Sequence, residues 1–159
     1  MSNLIAVMLT NTANQEIFDM TNNAIQSLIK SCNQADVVLE LFIVETQNKE
    51  FVKANNFNYF DYKDNLYYIR QLILNNGNLP FNYNQFLNFA FDNIKEFFSE
   101  WFLESSLFAI FNNDIILQED TISEVKKIMG LDYNISSLSV HDKDYDLHKN
   151  LLKQYTFFH

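Results

Sequence analysis

The feature that most constrains the fold is a short apolar segment, residues 107–111, which ends abruptly in Asn112, Asn113 and Asp114. Five consecutive apolar residues are typical of a strand buried on both faces inside a parallel sheet. Because open α/β sheets bind ligands at the carboxyl ends of their strands, polar oxygen donors at this position predict a ligand site. A carboxylate there suits a hard divalent cation, and such a cation suits a phosphate.

The rest of the chain indicates an α/β domain with a mostly parallel sheet flanked by helices. A strand, a helix with an apolar face and a second strand imply a right-handed crossover between parallel neighbours. Capping-box patterns at 12–15 and 121–124 predict two helix starts, and Gly130 predicts a helix end. The predicted strands are 4–10, 37–44, 67–74, 107–111 and 135–140. The predicted helices are 12–32, 48–54, 82–98 and 121–130. Residues 147–158 are predicted to form either a short terminal helix or a tail.

Composition narrows the class of protein. The 159 residues predict a single domain spanning 1–159, and 48% hydrophobic with 19% charged residues predicts a globular chain. A net charge of −9 without clustered Lys or Arg argues against direct nucleic-acid binding.

Cys32 is the only cysteine, which excludes an intramolecular disulfide and fits a reducing cytoplasm. Its place on an apolar helix face predicts a buried thiol. Neither a signal peptide nor a transmembrane segment is indicated, so we expect a cytoplasmic protein. The abundance of Phe, Tyr and Asn is typical of an AT-rich genome, such as that of a phage or a low-GC bacterium.

Residues 107–117 resemble the "F-L-N-N-D" form of the Asp-X-Asp motif in family 2 glycosyltransferases of the GT-A fold, a Rossmann-like fold. Residues 4–11 and 37–45 are similar to the first two strands of that fold. Residues 75–81 are similar to its "E-N-x-G-F" segment, and residues 120–129 to the helix after the metal motif. The resemblance covers roughly residues 3–140, in the family's order.

The resemblance assigns roles to individual residues. It implies that Asp114, with Asn112, ligates Mn²⁺ or Mg²⁺. The positions that correspond to the family's nucleotide-binding residues are Thr10, Asn11, Glu45, Asn76, Asn78 and Asn113. Glu45 would accept from the imide N–H of a uracil-like base. Simpler alternatives stay open: Asn112–Asp114 as a turn that ends a strand, Glu45 as an exposed strand-end carboxylate, and Asn76-Gly77 as a turn.

A general base is harder to place, because an inverting transferase needs a carboxylate to deprotonate the acceptor hydroxyl. Only 45 residues follow Asp114, fewer than the family normally has, and they contain one acidic cluster. Asp142 and Asp144 in that cluster are the candidates, and a solvated acidic loop is the alternative. The aromatic segment 97–103 is predicted to pack in the hydrophobic core. If Trp101 and Phe102 were instead exposed, a homo-oligomer would be favoured.

The resulting hypothesis is a metal-dependent, inverting transfer of a sugar from a nucleotide-sugar donor, a UDP-sugar by resemblance, to an unknown acceptor. One alternative is a catalytically inactive GT-A-like module that serves binding or assembly. Another is that the chain is the N-terminal part of a longer transferase.

Overall fold

The computed structural model describes residues 2–45, 67–74, 82–131, 137–138 and 157–158. Its elements, in chain order, are strand β1 (Ser2–Thr10), helix α1 (Gln15–Gln34), strands β2 (Val37–Glu45) and β3 (Tyr67–Ile73), helices α2 (Tyr83–Phe97) and α3 (Glu100–Glu104), strand β4 (Leu107–Asn112), helix α4 (Thr121–Leu131), and the two-residue strands β5 (Ser137–Leu138) and β6 (Phe157–Phe158). The predicted helix at 48–54 lies outside the described residues. Residues 157–158 form a strand rather than the predicted terminal helix, and they pair antiparallel with β5.

Four parallel strands form the main sheet in the order β3-β2-β1-β4. The long apolar sequences of β1 and β2 occupy the centre, where side chains from both faces of the sheet are buried. Helices α1 and α4 pack on one face, and α2 packs on the other. The predicted α/β class, with a parallel sheet flanked by helices, is confirmed.

The burial of strand β4 differs from the prediction. Its side chains alternate between partly buried and exposed along the whole strand. Leu107, Ala109 and Phe111 pack against the α1 face, whereas Phe108 and Ile110 are about half exposed on the other face. The prediction that this strand is buried on both faces is therefore wrong. Within the described part of the chain, β4 is an edge strand paired with β1 alone, which accounts for its partial exposure.

The start of α1 also differs from prediction. Asn14, not Thr12, is the N-cap, and its Oδ1 accepts a hydrogen bond of 3.0 Å from the Ile17 amide. Thr12 is fully buried, and its side chain bonds to Glu45 instead. Helix α4 begins at Thr121, so this residue lies inside the first turn rather than at the capping position of the predicted box.

An ion pair inside an aromatic cluster stabilises the α2 face. Glu40 on β2 is 6% exposed and pairs with Arg70 on β3. The guanidinium lies 4.1 Å from the ring centroid of Phe97 and 5.3 Å from that of Phe42. The planar, weakly hydrated guanidinium suits this mixture of carboxylate and ring faces better than an ammonium group.

The aromatic segment around α3 is divided between core and surface. Phe98 and Phe102 stack with ring centroids 4.5 Å apart, and both pack against the core. Trp101 is 75% exposed. The prediction of core therefore holds for part of this segment, and a homo-oligomer stays a prediction. No helix in the described ranges is long and apolar enough to cross a membrane.

Candidate functional site

The carboxyl ends of the parallel strands lie at one edge of the sheet. The register pairs Thr10 with Glu45, and Leu9 with Asn112, so the ends of β1, β2 and β4 are level. The chain places β2 and β3 on one side of β1 and β4 on the other. In doubly wound sheets, the ligand crevice lies where the strand order reverses in this way, which is here between β1 and β4.

Asn11 and Asp114 follow the two strands on either side of this position. Asn11 follows β1 directly, and Asp114 lies in the turn that follows β4. Both residues are exposed, and so is Asn112 at the end of β4. With Asn113, which lies between Asn112 and Asp114, four of the predicted site residues thus follow β1 and β4 at this edge of the sheet.

Glu45 lies on the other side of β1 and is used internally. It is 1% exposed, although it is a carboxylate at the end of a strand. Its Oε2 accepts from the hydroxyls of Thr10 at 2.6 Å and Thr12 at 2.7 Å, and its Oε1 accepts from the Thr12 amide at 2.9 Å. We call Thr10, Thr12 and Glu45 the Glu45 cluster. It ties the end of β2 to the segment between β1 and α1.

This cluster bears on the roles that the resemblance implies for Thr10 and Glu45. The alternative of an exposed strand-end carboxylate is wrong, because Glu45 is buried. Contact with a nucleobase stays a prediction, and it requires that Glu45 exchange at least one of its present hydrogen bonds. The sequence analysis did not single out Thr12 as a partner of Glu45.

Three hydroxyl residues of α1 fix the segment that follows β4. We call Thr21, Ser27 and Ser31 the hydroxyl stripe. Thr21 Oγ1 accepts from the side-chain amide of Asn113 at 3.1 Å. Ser27 and Ser31 accept from the backbone N–H groups of Leu117 and Ile122, each at 3.0 Å. The sequence analysis missed this stripe, although hydroxyl residues within the apolar face of a long helix are a recognisable signal.

A polar groove opens at the same edge of the sheet, beside β3. Its volume is about 490 Å³, and it lies between the end of β3 and the first half of α2. The lining residues are Leu74, Asn82, Asn84, Gln85, Asn88, Phe89 and Asp92. Of these, the side chain of Asn82 is engaged as the N-cap of α2, where it accepts from the Gln85 amide at 3.2 Å. The other amides offer hydrogen-bonding groups for a polar ligand.

The donor set around Asp114 fits one kind of metal site. The described residues contain no group of three or more His, Cys, Asp or Glu side chains that could hold an ion. Asp114 instead provides one carboxylate, and its two predecessors in the chain, Asn112 and Asn113, carry amide side chains. Mg²⁺ is commonly held by one or two carboxylates together with substrate phosphates. The residues present therefore suit a divalent cation that binds together with a diphosphate.

Four predicted site residues, Asn76, Asn78, Asp142 and Asp144, lie outside the described residues.

Comparison of the chain with protein-family models, with curated proteins and with solved structures finds no match. The features of the chain that bear on its function are therefore the fold and the polar residues that follow β1 and β4.

Proposed function

We propose that the protein binds a nucleotide-sugar at the β1/β4 crevice and transfers its sugar to an acceptor, with a divalent cation and with inversion. The observation that carries this proposal is the position of Asp114. Asp114 lies in the turn after a parallel strand, at the one place in the described sheet where the strand order reverses. The resemblance to the Asp-X-Asp motif gives that carboxylate a chemical role.

The reaction makes clear why a carboxylate is needed there. The nucleoside diphosphate leaving group gains negative charge as the glycosidic bond breaks, and a bound divalent cation stabilises that charge. Asp114 would hold the cation, with amide oxygens of Asn112 and Asn113 beside it. Asn11, which follows β1, would hydrogen-bond the nucleoside.

A second candidate function is nucleotide binding without sugar transfer. The Asn112-Asn113-Asp114 segment supports it, because an amide oxygen ligates a divalent cation more weakly than the carboxylates of an Asp-rich motif would. A chain that binds a nucleotide but no longer turns it over would tolerate this arrangement. The two functions differ in turnover, not in metal-dependent binding.

A thermal-shift titration with UDP, GDP, CDP and several nucleotide-sugars, each with and without Mn²⁺, tests the proposal. A ligand at 100 times its Kd adds about 2.7 kcal/mol to the stability of the folded state. For a chain of this size, that corresponds to a rise in Tm of roughly 5–10 °C. The variant is Asp114→Ala. The matched control is Glu119→Ala, which removes an exposed carboxylate that makes no hydrogen bond to any described residue.

A metal-dependent shift that is lost in Asp114→Ala and kept in Glu119→Ala supports the proposed site. Release of nucleoside diphosphate from the bound nucleotide-sugar, measured with added acceptor sugars, then separates the transferase from the binding module. If no nucleotide shifts the wild-type Tm, both candidate functions are refuted.

A further inference from the structure

Thr21 is buried in the second turn of α1 and connects that helix to the turn that carries Asp114. Its residue exposure is 0%. The hydroxyl donates to the backbone carbonyl of Ile17 at 2.8 Å and accepts from Asn113 Nδ2 at 3.1 Å. A threonine hydroxyl carries one proton, so this donation leaves Oγ1 able only to accept.

That single proton determines the orientation of the Asn113 side chain. Since Thr21 Oγ1 can only accept, the amide of Asn113 must present its NH₂ group to α1. The carbonyl oxygen, Oδ1, then points away from α1. Within the described part of the chain Oδ1 has no hydrogen-bond donor, so it is available to a ligand.

We propose that Thr21 is a positioning residue for the metal and diphosphate site. It orients Asn113, the residue before Asp114, so that Oδ1 faces away from α1 and can serve as a second oxygen donor, either to the cation or to a water molecule on it. This inference rests on the proposed function and adds to it a residue on α1, far from the motif in sequence. Asn113 thereby changes from a general nucleotide contact to an oriented oxygen ligand.

The hydroxyl stripe supplies a matched control. Ser27 makes the same kind of bond from the same helix, but it holds the backbone N–H of Leu117 rather than a site side chain. Removal of either hydroxyl should weaken the attachment of the segment after β4 to α1. Only removal of the Thr21 hydroxyl should release the Asn113 amide.

The experiment measures Kd by isothermal titration calorimetry for UDP, GDP and CDP with Mn²⁺. The variants are Thr21→Val, Thr21→Ser, Asn113→Ala, the double variant Thr21→Val/Asn113→Ala, and Ser27→Ala. Thr21→Val should weaken the metal-dependent binding by about three- to tenfold, the range expected for one lost hydrogen bond. Thr21→Ser keeps the hydroxyl and should bind like the wild type.

The double-mutant cycle distinguishes positioning from general destabilisation. If Thr21 acts through Asn113, Thr21→Val causes no further loss of affinity in the Asn113→Ala background. Ser27→Ala should lower the Tm but leave the Kd unchanged. Additive losses in the double variant, or an equal loss of affinity in Ser27→Ala, overturn the inference.

Asn113→Ala keeps the inference testable if Thr21→Val does not fold, because wild-type affinity in Asn113→Ala also overturns it. If the wild type binds none of the nucleotides with Mn²⁺, the proposed function fails, and the role of Thr21 fails with it. If the wild type binds and Thr21→Val binds equally well, the role of Thr21 fails alone.

Discussion

The Glu45 cluster gives a sharp prediction about stability. Thr12→Val keeps the shape of a fully buried side chain but removes the hydroxyl that donates to Glu45 Oε2 at 2.7 Å. The Thr12 amide still donates to Oε1. A hydrogen bond to a charged group contributes about 1.5–3 kcal/mol, and the buried position leaves little room for a replacement water. We therefore expect Thr12→Val to lower the free energy of unfolding by about 2 kcal/mol.

The same reasoning applies to Thr10, whose hydroxyl donates to the same oxygen at 2.6 Å. In the double variant Thr10→Val/Thr12→Val, Oε2 loses both hydroxyl donors. A buried carboxylate with too few donors is costly, so the combined loss should exceed the sum of the single losses. Thr121→Val is the matched control, because Thr121 is only partly buried and its hydroxyl makes no hydrogen bond to any described residue.

Urea denaturation followed by circular dichroism measures these differences. In a thermal melt, a loss of 2 kcal/mol corresponds to a decrease in Tm of about 4–8 °C for a chain of this size. The control should remain within about 0.5 kcal/mol of the wild type. A Thr12→Val loss no larger than that of the control would refute the reasoning, since the hydroxyl would then contribute nothing to the folded state.

Three further predictions concern the rest of the fold. Arg70→Met leaves the buried Glu40 carboxylate without its ion-pair partner and should cost about 3 kcal/mol in urea denaturation, whereas Glu40→Gln/Arg70→Met should recover much of that loss. Asp36 follows the end of α1 with φ of 52°, so Asp36→Gly should raise the free energy of unfolding by about 0.5–1 kcal/mol, and Asp36→Ala should not. Burial raises the pKa of the Cys32 thiol from 9.0 to about 12. As pH rises, the thiol of the unfolded chain therefore loses its proton before the thiol of the folded chain does. The free energy of unfolding is unaffected by this thiol below pH 9 and decreases by about 1.4 kcal/mol per pH unit between pH 9 and pH 12. Between pH 8 and pH 10, the free energy of unfolding measured by urea denaturation should decrease more in the wild type than in Cys32→Ala. An equal decrease in both proteins would contradict the prediction.

The central architecture was predictable because its signals are local. The continuous apolar sequences of β1 and β2, the apolar face of α1 and the periodicity of α2 each identify an element within a window of some ten to twenty residues. The environment of β4 was not predictable in the same way. An apolar segment shows that a strand can be buried, but its position at the edge or centre depends on pairing between distant parts of the chain.

The start of α1 shows how tertiary contacts override a local pattern. Thr12 and Asn14 are both good N-cap residues, and the sequence around them does not distinguish the two. The choice is made by Glu45, 33 residues from Thr12, whose carboxylate binds the Thr12 hydroxyl and leaves Asn14 to cap the helix. The same long-range register explains why the burial of Glu45 could not be predicted from its strand-end position.

The two sides of β1 at the carboxyl edge therefore have different properties. Toward β2, Thr10 and Glu45 satisfy each other, and a ligand gains there only by displacing existing hydrogen bonds. Toward β4, Asn11 and Asp114 are exposed, and Thr21 on α1 holds the side chain of Asn113, the residue before Asp114. A site whose oxygen donors are already oriented loses less free energy on binding than a site that must first rearrange. If the protein binds a nucleotide as proposed, we therefore expect the diphosphate on the β4 side to contribute most of the affinity, with weaker discrimination between bases than a carboxylate free to contact the base would give.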